Sequence, residues 1–143
     1  MSKDIVLAVD LNHHESWDAA VPEAVGIARA KGARIHLVVV VPDFGMAMVS
    51  DFFPPDFERK ALERAWDELH KLAEEKMPED VEWQAHVAHG DIAEELLRVT
   101  GEVGAAMIVM ASHPVDHVRH FLVGSQAERI VARSPVSVLV VRQ

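Results

Sequence analysis

The residues with the most evident chemistry lie between positions 107 and 128, where an apolar run passes through a polar, histidine-rich loop to Gly124 and Ser125. The apolar residues 105–110 predict a buried strand, and a helix is expected to begin at Ser125. A helix N-terminus offers free N–H groups and the positive end of the helix dipole, and a glycine lets an anion approach the backbone. The pattern therefore predicts a site for a phosphate-type anion.

Two other interpretations of this segment stay open. Ser125 opens a Ser-x-x-Glu capping box, which needs no ligand and competes with a phosphate for the same N–H groups. His113, His117 and His120 have the i, i+4, i+7 spacing of a helical metal site. Pro114 and the loop context disfavour this second interpretation, so no metal is expected. Histidine protonation beside a bound anion fits the loop better.

The composition limits the classes of protein to which this chain can belong. The 143 residues, 50% of them hydrophobic, are enough for one core, so residues 1–143 are expected to form a single domain. The chain has no cysteine, which excludes disulfides and thiolate zinc sites. The net charge of −9 disfavours nucleic-acid binding. With no signal-peptide pattern and no apolar run of roughly 20 residues, we expect a cytoplasmic protein without membrane contact.

The elements that must position the site alternate along the chain. Apolar runs predict strands at residues 5–9, 35–41, 105–110 and 136–142, and an alternating stretch predicts an edge strand at 81–89. Helices are expected from a Ser16 cap to Gly32, over 57–76, from an Asp91 cap to Gly101 and Gly104, and over 125–133. This order predicts an α/β fold, an open and mainly parallel sheet with helices on both faces.

Such sheets bind ligands at the carboxyl ends of their strands, where Asp10, Val40 and Ala111 are expected. Asp10 has two further interpretations, as a turn or cap residue or as the phospho-accepting carboxylate of a response regulator. The latter needs a second acid beside it and a lysine after the last strand, whereas an apolar residue follows Asp10 and the tail offers Arg142. The long loop at residues 43–56 is expected to cap the sheet edge, or to act as a lid or a partner surface.

Several segments together resemble the universal stress protein family over essentially the whole chain. They are the strand ending at Asp10, the VVVVP run closed by Pro42, the turn at residues 89–91, IVMASHP, FLVGS and the terminal SVLVVR. Many members of that family carry Gly-x2-Gly-x9-Gly-Ser after the fourth strand and bind ATP there. Here the spacing is kept as Ala-x2-Pro-x9-Gly-Ser, ending at Ser125. The resemblance also implies the strand order 3-2-1-4-5.

The resemblance implies an adenine-nucleotide site, in which Asp10 lies near the adenosine, the Val40 backbone meets the adenine and the Gly-Ser pair holds phosphate. ATP, with or without Mg²⁺, is the implied ligand. The replacement of both early glycines, by Ala111 and Pro114, predicts weak binding or none. The implied nucleotide-binding residues are Asp10, Val40, Ala111, Ser112, His113, Gly124, Ser125 and Gln126.

Two functions are compatible with these residues. The first is a nucleotide-binding regulatory module in stress response, in which ATP shifts the population of a surface seen by an unidentified protein partner. The second is a nucleotide-free dimeric stress or scaffold protein, a kind that the family also contains. No activated nucleophile or Walker-type lysine is found, so no enzyme is expected beyond slow, incidental ATP hydrolysis. The apolar run at 136–141 predicts a homodimer through the last strand.

Overall fold

The computed structural model describes residues 3–11, 14–42, 56–112 and 120–142, and for residues 14–17 and 120–125 it describes the backbone only. Strands and helices alternate along the described chain. The elements in order are β1 (Ile5–Ala8), α1 (His14–Lys31), β2 (Ile35–Pro42), α2 (Phe57–Lys76), β3 (Trp83–Gly90), α3 (Ile92–Val103), β4 (Met107–Ser112), α4 (His120–Arg133) and β5 (Ser137–Arg142).

The strands form one parallel sheet in the order β3-β2-β1-β4-β5. This confirms both the predicted fold class and the predicted strand order. The chain moves outward from β1 through β2 to β3 and then returns to the other side of β1 for β4. The switch point of the sheet therefore lies between β1 and β4, where open α/β sheets have their ligand crevice.

The core has two layers, one on each face of the sheet. Ile5 and Leu7 point toward α1 and α2, whereas Val6 and Ile108 point toward α3 and α4. All four side chains are at most 1% exposed. Because the central strands are covered on both faces, their sequences are continuously apolar rather than alternating. Among the described residues, no helix is both long and apolar enough to cross a membrane.

Predicted capping residues lie at the C-terminal end of α1 and at both ends of α3. Gly32 follows α1 at a φ of 62°, in the left-handed region that favours glycine. The Asp91 carboxylate caps α3 by accepting the Glu94 N–H at 3.0 Å. Gly104, at a φ of 65°, ends α3, but Gly101 lies inside the helix rather than at its end. One glycine is therefore sufficient to stop this helix.

Several boundaries differ from the predicted ones. Strands β3, β4 and β5 begin one or two residues late. Before β3, the Val81 N–H donates to the Pro78 oxygen in a turn, and before β4, the Ala105 N–H donates to the Thr100 oxygen at the end of α3. Helix α1 begins at residue 14, so Ser16 lies in its first turn and is not its cap. The residues just before β3 and β4 use their backbone N–H groups in these local hydrogen bonds, so the same groups cannot join the sheet ladder.

Candidate functional site

Asp10 lies beside Val40 at the carboxyl end of the sheet. Ala8 is paired with Val38 in the parallel register of β1 and β2. The Val9 N–H extends this pairing by donating to the Val38 oxygen at 2.9 Å. Two residues beyond Ala8, Asp10 is therefore level with Val40. Both are only half-buried, whereas the strand interiors are buried, so each keeps accessible surface at the carboxyl end of the sheet.

The end of β4 forms the other side of the crevice. Leu7 is paired with Val109, so the same register carried to the strand ends sets Ser112 level with Asp10. Ala111 and Ser112 are also half-buried. The structure thus brings four predicted site residues to the carboxyl end of the sheet at its switch point: Asp10, Val40, Ala111 and Ser112. Their role in binding stays a prediction.

The start of α4 differs from the sequence prediction. The helix begins at His120, so Gly124 and Ser125 lie in its second turn rather than at its N-terminus. In α2 and α3 the fourth helical residue already donates its N–H to the oxygen of the N-cap residue, so the free N–H groups within α4 belong to residues 120–122. The predicted start at Ser125 is therefore wrong for this structure. The binding roles of Gly124, Ser125 and Gln126 stay predictions.

The other predicted features of this region cannot be compared with the structure. His113 and Pro114, and residues 43–55 of the loop predicted at 43–56, lie outside the described residues. So does His117, while His120 is described by its backbone alone. Within the described ranges, no group of three or more metal-binding side chains is arranged to hold an ion.

Arg129 joins α4 to the crevice end of α3, and the sequence gives no sign of this contact because the partners are 38 positions apart. The guanidinium donates to the two carboxylate oxygens of Asp91 at 3.0 and 3.2 Å. It also lies 3.5 Å from Oε1 of Gln126. Hydrogen bonds from Arg129 and from the Glu94 N–H hold the pKa of Asp91 below its usual value. The pair links α4 to the start of α3 next to the crevice.

The turn between β3 and α3 depends on Gly90. Its φ is 136°, which L side chains rarely adopt, and a Cβ there would lie 3.3 Å from Cγ of Glu95. Just before the turn, Nδ1 of His89 is 3.0 Å from Oε1 of Glu58 on α2. The turn therefore sets where Asp91 caps α3, and through Asp91 where Arg129 is held.

Arg142 is a second cation that sequence reasoning did not assign to the site. It is paired with Ser112 in the register of β4 and β5 and is exposed. A guanidinium beside the crevice favours an anionic ligand. The signal that could have revealed it is the parallel register of the last two strands, which cannot be known before the sheet order.

A cleft of about 620 Å³ lies at the opposite end of the sheet and is separate from the crevice. Its lining includes Asp4 and two ion pairs, Arg29 with Asp80 at 2.7 Å and Arg34 with Glu82 at 3.1 Å. These charges satisfy one another. The Asp4 carboxylate is bonded to His36, so each of these charged groups has a protein partner.

The fold and the crevice define an α/β protein of the doubly wound class whose ligand crevice lies at the switch point of its sheet. The chain belongs to the universal stress protein family, whose model matches residues 1–142. A universal stress protein of Thermus aquaticus, encoded in the QAH/OAS sulfhydrylase 3′ region, is 32% identical over 99% of this chain and 100% of its own length. The solved structure of hypothetical protein MJ0577 superposes with a TM-score of 0.81 at 22% identity, covering 100% of this chain and 97% of that one.

Two other solved structures with this fold contain adenine nucleotides. A universal stress protein in complex with cAMP has a TM-score of 0.65 at 21% identity and covers 99% of this chain and 97% of that one. The universal stress protein of Archaeoglobus fulgidus in complex with dAMP has a TM-score of 0.65 at 18% identity, covering 97% of each chain. At these identities the similarity establishes the shared fold.

Proposed function

We propose that this protein is a regulatory module that binds an adenine nucleotide between β1 and β4, and whose bound state is recognised by a partner protein. The observation that carries the proposal is the meeting of Asp10, Val40 and Ser112 at the switch point of the sheet. The cAMP and dAMP complexes of structurally similar proteins support the class of ligand. Within that class we propose ATP, with or without Mg²⁺.

The chemistry of the crevice suits a nucleoside. The Asp10 carboxylate can accept hydrogen bonds from ribose hydroxyls, and the backbone at Val40 offers amide groups to the edge of the adenine. The exposed Arg142 lies on the side of the crevice where Ser112 could bond a phosphate oxygen. This arrangement is suited to binding and orienting a nucleotide.

For Gly124 and Ser125 to donate N–H groups to a phosphate, the first turn of α4 must unwind. Helix ends fray at small free-energy cost, and Gly124 is a poor helix former. The ion pair between Arg129 and Asp91 would hold the rest of α4 in place during this change. We therefore propose that ligand binding moves the start of α4 toward Ser125, which is a conformational signal that a partner could recognise.

Two measurements test nucleotide binding. Denaturing freshly purified protein and identifying any released small molecule by mass spectrometry should yield an adenine nucleotide. Calorimetry with ATP, ADP, AMP and cAMP should then give saturable binding to nucleotide-free protein. Asp10→Ala should weaken that binding by about 10- to 150-fold, because a hydrogen bond to a charged group is worth about 1.5–3 kcal/mol.

Asp80→Ala is the matched control, since Asp80 is an acidic residue at the opposite end of the sheet. It should leave nucleotide affinity unchanged. Equal loss in the two variants would assign the effect to overall charge rather than to the crevice. If no nucleotide binds at millimolar concentration, the nucleotide-free dimeric function replaces this one.

We also propose that two copies associate through β5. Residues Val138, Leu139, Val140 and Val141 are all half-exposed on this edge strand. An apolar edge strand invites pairing, and antiparallel pairing with a second copy would cover it in a closed two-fold interface. Light scattering should therefore give twice the chain mass of 15.8 kDa.

Proline at position 138 should abolish that dimer. Val138→Pro removes a backbone donor from the edge strand, so the variant is expected to be monomeric or aggregated. Val138→Thr, which keeps the donor and the β-branched shape, is the control and should stay dimeric. A dimer mass that persists in the proline variant would contradict association through β5.

A further inference from the structure

Three titratable side chains form a hydrogen-bonded chain at the end of the sheet opposite the crevice. Nε2 of His36 lies 2.9 Å from Oδ2 of Asp4, and Nδ1 of His36 lies 2.9 Å from Nε2 of His86. The two imidazole rings are 5.1 Å apart between centroids. The side chain of His36 is only 4% exposed. Its two nitrogens are therefore fully engaged by protein groups.

The cluster connects three neighbouring strands under one helix. Asp4 directly precedes β1, His36 is on β2 and His86 is on the edge strand β3. Side chains alternate along a strand, so His36 shares a face with Val38, which belongs to the same hydrophobic cluster as Leu96 of α3. A change in the hydrogen bonds of this cluster therefore affects how both β3 and α3 are held against the sheet.

Counting protons limits how the cluster can be charged. An ionised Asp4 is an acceptor only, so Nε2 of His36 carries a proton. One further proton occupies the space between His36 and His86, and either ring can own it. If both rings are doubly protonated, two N–H groups face each other at 2.9 Å with no acceptor between them. The cluster thus tolerates one imidazolium and not two.

Helix α3 contributes one carboxylate to the His86 end of the cluster. Glu102 attracts a proton on His86, but its own carboxylate is paired with Arg98 at 2.6 Å. Burial lowers the pKa of His86, the positive charge of His36 lowers it further, and Glu102 only partly opposes them. His86 is therefore held neutral at pH values where an exposed histidine takes up a proton.

The other end of the cluster carries a stable negative charge. Burial raises the pKa of Asp4, but hydrogen bonds from His36 and from the Arg34 N–H outweigh it, and the net pKa is lowered. The guanidinium of Arg34 is occupied by Glu82 at 3.1 Å, and the Ala106 N–H donates to the backbone oxygen of Asp4 at 2.8 Å. Asp4 therefore keeps the His36 proton in place.

We propose that Asp4, His36 and His86 form an acid-operated latch that ties β3 and α3 to the centre of the sheet and opens when the cluster takes a second proton. With no imidazolium or with one, a single proton bridges His36 and His86 and the latch is closed. With two, the bond between His36 and His86 breaks. Since β3 has a strand neighbour on one side only, it is the element that moves.

The sign of the pH effect follows from the lowered pKa of His86. In the unfolded chain this histidine takes up its proton near pH 6.5, whereas the folded chain resists it. Stability from the latch is therefore complete above about pH 6.5 and is lost as the pH falls toward the lowered pKa of the folded state. Mild acid, rather than base, therefore breaks the bond between His36 and His86 and releases the edge strand β3.

Amide exchange of the full-length protein tests the latch. After correction for intrinsic rates, the amides of β3 should exchange several-fold faster at pH 5 than at pH 7.5, while those of β1 change little. His86→Gln keeps a side chain that can bond to His36 but cannot take up a proton. In this variant the pH-dependent acceleration in β3 should be lost.

His70→Gln is the control for a histidine that packs against β3 outside the cluster: its Nδ1 lies 2.9 Å from the Trp66 oxygen on α2, and its ring centroid is 5.8 Å from that of Trp83 on β3. This variant should keep the acceleration of the wild type. Nitrogen NMR of the wild-type His86 imidazole gives a second readout that needs no variant, and His86 should titrate below about pH 6.5, the value of an unperturbed histidine. Titration of His86 at or above that value, or unchanged pH dependence in His86→Gln, would overturn the latch.

Discussion

Replacing Leu7 with alanine is expected to lower the free energy of unfolding by about 2–5 kcal/mol. Leu7 is 0% exposed in the central strand and is paired between Leu37 and Val109. Strands on both sides and helices on both faces prevent the surroundings from filling the cavity. For a chain of this length the loss corresponds to a Tm lower by roughly 5–20 °C. Equilibrium urea unfolding measures it directly.

Val131→Ala is the matched control for that experiment. Val131 is 53% exposed on α4, and alanine is the better helix former, so the change should stay within about 0.5 kcal/mol. A loss for Leu7→Ala no larger than the control value would mean that β1 is not the centre of the core.

The double change Ala111→Gly and Pro114→Gly is expected to strengthen ATP binding by about 10- to 150-fold. Proline has no N–H and a φ fixed near −65°, so position 114 cannot donate to a phosphate oxygen as a glycine can. Ala111, at the end of β4, adds a methyl group beside the crevice. Restoring one charge-assisted hydrogen bond accounts for the gain, which calorimetry on both proteins measures.

Pro135→Gly provides the comparison for the double variant. Pro135 lies in the turn before β5, at the other end of the strands, so its replacement should leave ATP affinity unchanged. Nanomolar binding by the wild type, or no gain in the double variant, would show that the loop takes a different path around the phosphates.

The elements that could be predicted from sequence are those whose residue types alone indicate burial in a strand or capping of a helix. The apolar strand of Leu7 and the cap at Asp91 carry local signals, and both are found where expected. The start of α4 was not predictable, because a Gly-Ser pair is compatible with a helix N-terminus and with a helix interior. The sequence therefore predicts the position of the crevice at the strand ends, but it does not predict which residues of α4 have free N–H groups.

Contacts across the sheet could not be predicted at all. His36 is the one polar residue in an apolar strand, and its partners Asp4 and His86 are 32 and 50 positions away. Arg129 and Asp91 are likewise brought together by tertiary packing rather than by closeness in the sequence. Such pairs depend on strand order and register, which are set by the whole sheet rather than by neighbours in the chain.

The position of β1 in the middle of the sheet also governs how the chain can assemble. Its partner β2 follows within a few tens of residues, but Ile5 meets Met107 only roughly 100 positions later. The half-sheet of β1, β2 and β3 can therefore form first, with one side of β1 presenting unpaired N–H and C=O groups until β4 is available. Such an open edge can pair with another nascent chain. In a chain that pairs β1, β2 and β3 first, the exposed side of β1 is the one that later pairs with β4 beneath the crevice.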